Sequence, residues 1–196
     1  MIRRSASATL LLLALCSLTF AQSITIQLKN GTDAERRTKE QLDRILASYD
    51  VSKYTFTRSV LIDEKSIPHS HQVLTLHTRH LGQDALLLST YIHEQLHWYL
   101  DQHDKQTEAA EQDLRKLYPN PPIGYPEGSP DAEGDYLHLI DCYLEMLADR
   151  ELMGSERAAK VMDFWAGDHY TWVYRTLIRD EAKFGSIIER HHLGVN

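Results

Sequence analysis

Two histidines stand four residues apart with a glutamate directly after the first, in the segment His93-Glu94-Gln95-Leu96-His97. On a helix, residues four apart differ by about 40° in direction and about 6 Å in height, so both imidazoles lie on one face. Imidazoles placed this way can bind one zinc ion at roughly 2.0–2.1 Å. Glu94 then lies beside the metal, where it can accept a proton from water whose pKa the metal lowers. The alternative interpretation is a histidine-rich amphipathic helix that binds no metal.

The segment around this motif has the pattern of a buried helix. A helix is predicted from Asp84 to about Leu100, with an apolar run at residues 85–88 and further apolar positions at Ile92 and Leu96. The motif would therefore sit on a rigid element that is largely shielded from water.

The rest of the chain predicts an α+β fold. Strands are expected at residues 23–29, at 54–57 together with 60–62, and at 73–78. Helices are expected from Asp33 or Thr32 to about Ser48, and at 107–117, 132–152, 155–166 and 169–184. Residues 119–130 contain five of the six prolines, which is typical of a loop.

The motif, placed on a helix after predicted strands, resembles the zincin metallopeptidases over about a third of the chain. The resemblance implies a zincin-like fold, with a small antiparallel or mixed sheet packed on the active-site helix and a mostly helical C-terminal half. It also implies one zinc ion and a third protein ligand whose identity differs between the branches of the superfamily.

The gluzincin branch takes its third ligand from a glutamate on a later helix, often followed four residues on by an aspartate. Glu145 and Asp149 match this arrangement in the predicted helix 132–152. The resemblance thus makes Glu145 the favoured third ligand, and Asp149 could accept the outer N–H of a liganding histidine. A surface Glu145 paired with Arg150 or Lys160 is the alternative.

Two histidines compete with Glu145. His138 stands seven residues before it, about 10 Å away on nearly the same helix face, so the two would not both reach one zinc. His138 is then either an alternative ligand or a hydrogen-bond donor to a developing oxyanion. His103 occupies the last position of the metzincin pattern, but Leu100 replaces the glycine that lets that chain turn back to the metal.

The chain-level features indicate an exported protein. Residues 1–21 combine Arg3 and Arg4, a short apolar run and small residues before a cut after Ala21, the layout of a signal peptide. Residues 22–196 would form a single domain, periplasmic or secreted, with no membrane span. The net charge of -7 and pI near 5.8 argue against a nucleic-acid partner.

The sequence therefore favours an exported zinc-dependent hydrolase, a metallopeptidase with a peptide or protein as substrate. The expected metal ligands are His93, His97 and Glu145, with Glu94 as the general base. The competing hypotheses are a catalytically inactive binding protein on the zincin scaffold and a histidine-rich metal-binding protein of the cell envelope.

Overall fold

The computed structural model describes residues 23–196, so the signal peptide predicted for residues 1–21 lies outside the described residues. Within that range, three strands and six α-helices follow one another along the chain. They are β1 (Thr25–Leu28), α1 (Asp33–Ser48), β2 (Ser59–Ile62), β3 (Leu74–Leu76), α2 (Asp84–Gln102), α3 (Asp104–Leu117), α4 (Ala132–Met153), α5 (Ser155–Asp168) and α6 (Thr171–Arg190). The α+β class is confirmed.

The sheet has the order β1-β2-β3, and both of its strand pairs are parallel. The expectation of an antiparallel or mixed sheet is wrong. Helix α1 connects β1 to β2 as a crossover, and residues 63–73 return the chain to the start of β3, so each strand runs in the same direction as its neighbour. The one antiparallel pairing in the described residues is an isolated bridge between His69 and Thr75.

Residues Tyr54–Thr57 do not form the strand that their alternation suggested. A short 3₁₀ helix spans Ser52–Tyr54, and the chain enters β2 only at Ser59. The intervening backbone is held by Gln95 of α2, which is fully buried. Its Oε1 accepts from the N–H groups of Phe56 and Thr57 at 2.8 Å each, and its Nε2 donates to the Thr57 carbonyl at 2.8 Å. Hydrogen bonds to one side chain thus replace a strand ladder at this position.

Helix α2 lies between the sheet and the C-terminal helices. It packs against α1 and β3 on one side and against α4 and α5 on the other. Almost every residue from Leu86 to Leu96 is buried as a result, and α4 in turn packs against α3, α5 and α6. None of the helices formed by residues 23–196 has the length and hydrophobicity that a membrane crossing requires.

Helix α1 begins with a capping box that also joins β1 and β2. The Thr32 hydroxyl accepts from the N–H of Glu35 at 3.2 Å, and the buried Glu35 carboxylate accepts from the N–H groups of Asn30 (2.8 Å), Gly31 (2.7 Å) and Glu64 (3.3 Å). Although burial works in the opposite direction, these hydrogen bonds lower the pKa of Glu35 to about 2. The ionised carboxylate therefore stabilises the folded state.

We expect Glu35→Gln to destabilise the protein by about 1–2 kcal/mol at pH 7, the usual scale of a lost cap. Because the pKa of Glu35 is lower when folded than when unfolded, its contribution is complete above about pH 5 and is lost as the pH falls towards 2. Urea unfolding at pH 7 and pH 3 should show the gap between wild type and variant closing. Glu40→Gln, on the exposed side of α1, is the control and should change stability little at either pH; a gap that stays constant with pH would contradict the assignment.

Candidate metal centre

Helices α2 and α4 bring three histidines together. His93 and His97 project from successive turns of α2, and His138 projects towards them from α4. One ring nitrogen from each lies within 4.8 Å of the other two. The ring centroids are 5.0 Å apart for His93 and His97, 5.3 Å for His97 and His138, and 5.6 Å for His93 and His138. Three imidazoles on one tetrahedral zinc ion have centroids about 5 Å apart, so the arrangement fits a metal ion.

Hydrogen bonds fix which nitrogen two of these rings present. His93 Nδ1 lies 2.8 Å from Asp141 Oδ2 and 3.1 Å from Glu145 Oε2. His138 Nδ1 donates to the Gly134 carbonyl at 2.6 Å and lies 3.2 Å from the Ser129 hydroxyl. With Nδ1 protonated and engaged, each ring offers the lone pair of Nε2, as metal-ligating histidines generally do.

The protonation states also suit a metal. Burial lowers the pKa of His97 to about 3 and that of His138 to about 3, so both rings are neutral at physiological pH. Burial alone would also lower the pKa of His93, but the Asp141 charge and hydrogen bonds to Asp141, Cys142 and Glu145 raise it well above its ordinary value. The position of His93 thus favours a positive charge, which a proton or a metal ion can supply.

A second group of potential ligands lies behind His93, away from His97. It consists of His93, Asp141, Cys142 and Glu145, and its members other than His93 are fully or almost fully buried. Cys142 lies 4.0 Å from His93 Nδ1, and burial raises the pKa of its thiol to about 12, which keeps it protonated. The carboxylates of this group contact the Nδ1 atom of His93, and we interpret the group as the support of His93.

Glu145 belongs to this second group and not to the group that contains His97. Its carboxylate accepts hydrogen bonds from the Ser89 hydroxyl and, at 2.9 Å, from the Tyr174 hydroxyl, in addition to its contact with His93. The sequence prediction favoured Glu145 as the third ligand, with His138 as the alternative; the structure groups His138 with His93 and His97, and Glu145 with His93, Asp141 and Cys142.

Asp149 continues the same face of α4 one turn beyond Glu145 and is fully buried. Burial and the nearby Glu145 raise the pKa of Asp149 well above its ordinary value, which favours its protonated form. The carboxylates that face His93 Nδ1 are those of Asp141 and Glu145. The sequence predicted Asp149 as the acceptor for a liganding histidine, but Asp141 and Glu145 are better placed for this role.

A cleft of about 600 Å³ opens over the three histidines, and Glu94 lines it with them. Burial raises the pKa of Glu94 to about 8, against the lowering effect of His93. A carboxyl with a pKa in this range can both take up and release a proton near neutral pH. The cleft leaves one side of the three-histidine group accessible, as a catalytic metal site requires.

The proline-rich loop forms one rim of the cleft and holds Tyr170 over the site. Carbonyls of Pro126 and Glu127 accept from the N–H groups of Thr171 and Trp172 at 3.0 Å each, at the start of α6. Tyr170 adopts a left-handed conformation (φ 48°, ψ 37°) that is uncommon for a side chain of this size. Its ring stacks on His138 with centroids 4.1 Å apart, so the loop and α6 together restrict the orientation of His138.

Several of these residues carry weak sequence signals. Asp141, Glu145 and Asp149 recur at intervals of four among mainly apolar residues of α4, a spacing that places three carboxylates on one face of the helix. Nothing in the sequence predicts Ser89, Tyr174 or the position of Tyr170. His103 caps α2 and its Nδ1 donates to the Tyr99 carbonyl at 2.8 Å; it belongs to neither group of potential ligands in residues 23–196.

Comparison of the chain with protein-family models, with curated proteins and with solved structures finds no match. The case for a function therefore depends on the residues of the site.

We expect Asp141→Asn to weaken divalent-metal binding by about 10–100-fold, the usual effect of removing the carboxylate that orients a liganding histidine. Competition with a chromogenic chelator measures this. Asp163→Asn, at an exposed position of α5, is the matched control and should leave the metal affinity unchanged. If the two variants bind metal equally well, Asp141 does not support His93.

Proposed function

We propose that this protein is an exported zinc-dependent hydrolase that cleaves amide bonds in peptides or proteins. The observation that carries the proposal is the group of three imidazoles, mutually within 4.8 Å, at an open cleft that Glu94 also lines. Export is the part of the proposal that depends on the signal-peptide pattern of residues 1–21.

His93, His97 and His138 are the residues that would hold the ion. Imidazole nitrogens suit zinc, and three protein ligands with a free fourth position are typical of catalytic zinc sites. A zinc ion bound there supplies a Lewis acid for the scissile carbonyl and a water with a pKa near neutrality. This ligand set replaces Glu145 of the sequence-based hypothesis by His138.

Glu94 has the central role among the protein groups. It directly follows His93 in the chain and precedes His97 by three residues, and its carboxyl lines the same cleft. A cation beside it would favour its ionised form, and the carboxylate would then take a proton from the attacking water. The protonated form would deliver that proton to the leaving amine.

The buried carboxylates have a supporting role. Glu145 accepts the Nδ1 hydrogen bond of His93, and the Asp141 carboxylate lies 2.8 Å from the same nitrogen as its charge partner, which together fix the tautomer and the plane of the ring. Ser89 and Tyr174 in turn hold Glu145 in place. Asp141 and Ser89 do not line the cleft, whereas the almost fully buried Glu145 and Tyr174 reach its wall, and the proposal gives all four the role of holding His93 in place.

Glu94→Gln should retain about one zinc per chain and lose hydrolysis by at least about 100-fold, since it removes the proton acceptor and no ligand. Metal content and cleavage of a peptide library, analysed by mass spectrometry, measure the two effects. Zinc-loaded wild-type protein that cleaves nothing would favour the inactive binding protein. Several weak metal sites that survive His93→Ala would favour the metal-binding protein of the cell envelope.

If His138 and not Glu145 is the third ligand, substitutions at these two residues should affect zinc binding differently. His138→Ala should abolish stoichiometric zinc binding at micromolar protein, because it removes a ligand. Glu145→Gln should keep the stoichiometry and lower the affinity, because it alters a group behind His93. His103→Ala serves as the control and should bind zinc like the wild type. The reverse ranking of His138 and Glu145 would restore Glu145 as the ligand.

A further inference from the structure

The cleft is poor in positive charge. Among the described residues that line it, Arg79 is the only lysine or arginine. Burial lowers the pKa of His77 to about 4 and also lowers the pKa values of His80 and His169, which line the same cleft. Away from the three-histidine group, Arg79 is therefore the cationic side chain of these walls, and it is paired with Asp168, which lines the cleft as well.

Asp168 holds Arg79 in a fixed orientation. The Arg79 Nη1 donates to Asp168 Oδ2 at 2.8 Å, and Nη2 donates to Oδ1, which gives a two-point pair between the guanidinium and the carboxylate. His169 Nδ1 lies 2.9 Å from Asp168 Oδ2 and restrains that carboxylate further. The guanidinium also lies over the Phe164 ring, 6.0 Å from its centroid.

The outer side of Arg79 remains accessible. About 51% of its side chain is exposed, against 16% for Asp168, and both residues line the cleft, so the guanidinium is the more accessible partner of the pair. A guanidinium has five N–H donors, and Asp168 occupies two of them. No other acceptor among the described residues uses the rest, which leaves donors for an anionic group of a ligand.

We propose that Arg79 is a specificity-determining residue that binds a carboxylate of the substrate, with Asp168 as its positioning residue. The proposal rests on the proposed function, because it assigns the substrate that the same cleft accepts. The planar fork of arginine matches a planar carboxylate better than a lysine does.

A peptide can bring a carboxylate to Arg79 from two sources. One is the free C-terminus, which would make the enzyme act near the ends of peptides. The other is the side chain of an aspartate or glutamate, which would place an acidic residue near the cleaved bond. Both share the chemistry that Arg79 recognises, and the experiment below separates them.

The test uses the mature protein carrying Glu94→Gln and incubated with zinc, so that binding is measured without cleavage. Three probes are compared: N-dansyl-Ala-Ala-Phe with a free carboxylate, the same peptide as its C-terminal amide, and N-dansyl-Ala-Asp-Phe amide. Energy transfer from tryptophan to dansyl reports binding, since Trp165 lines the cleft. At least one carboxylate peptide should bind about tenfold or more tightly than the uncharged amide, the scale of a hydrogen bond to a charged group.

Arg79→Gln should bring the affinity ratio of carboxylate to amide close to one and leave the affinity for the amide unchanged. Arg79→Lys should give an intermediate ratio, because it keeps the charge and loses the fork. Arg150→Gln is the matched control, since Arg150 makes a similar two-point pair with Glu181 on α4 and α6 and does not line the cleft. It should keep the wild-type ratio.

The outcomes separate this proposal from the proposed function. A ratio near one in the wild-type background, a ratio that survives Arg79→Gln, or failure of all three peptides to bind would overturn the role of Arg79. Library cleavage and zinc content decide the hydrolase assignment independently. Preference for the free C-terminus identifies a peptide end as the ligand, and preference for the aspartate peptide identifies an acidic side chain.

Discussion

The site depends on buried negative charge on one face of α4. Asp141, Glu145 and Asp149 lie one turn apart, all are 0–1% exposed, and no lysine or arginine in the described chain pairs with them. Charge in such surroundings is costly unless an opposite charge or hydrogen-bond donors compensate it. The raised pKa of Asp149 favours its neutral form, which reduces that cost, and His93 faces the other two carboxylates. The packing of α2 against α4 therefore holds the imidazole ring of His93 in one orientation.

The surrounding structure keeps this crossing rigid. Gln95, two residues after His93, hydrogen-bonds to the backbone of Phe56 and Thr57 between the 3₁₀ helix and β2. A residue inside the motif therefore connects α2 to the segment that leads into the sheet. On the other side, the proline-rich loop accepts the first N–H groups of α6 and holds Tyr170 against His138. Gln95 thus restrains the helix that carries His93 and His97, and Tyr170 restrains His138. The positions of the three rings therefore do not depend on a metal ion alone.

Much of this architecture is visible in the sequence. The helix that carries His93, Glu94 and His97 follows from local periodicity, and the start of α1 at Asp33 or Thr32 follows from residue types that cap helices. The direction of the strands and the choice between His138 and Glu145 do not follow, because both depend on how distant elements cross. His138 and Glu145 share a face of α4, and only the point where α4 meets α2 decides which of them lies beside His97.

His93 lies between the buried carboxylates of α4 on one side and the open cleft on the other. Towards α4 its Nδ1 meets the almost fully buried carboxylates of Asp141 and Glu145, of which Glu145 also reaches the wall of the cleft. Towards the cleft its Nε2 points to the side on which His97, His138 and Glu94 are accessible. The carboxylates on one nitrogen fix the ring, and the group of ligands on the other side leaves room for chemistry. The proposal of a catalytic ion depends on this combination, because such an ion needs both oriented ligands and an accessible position.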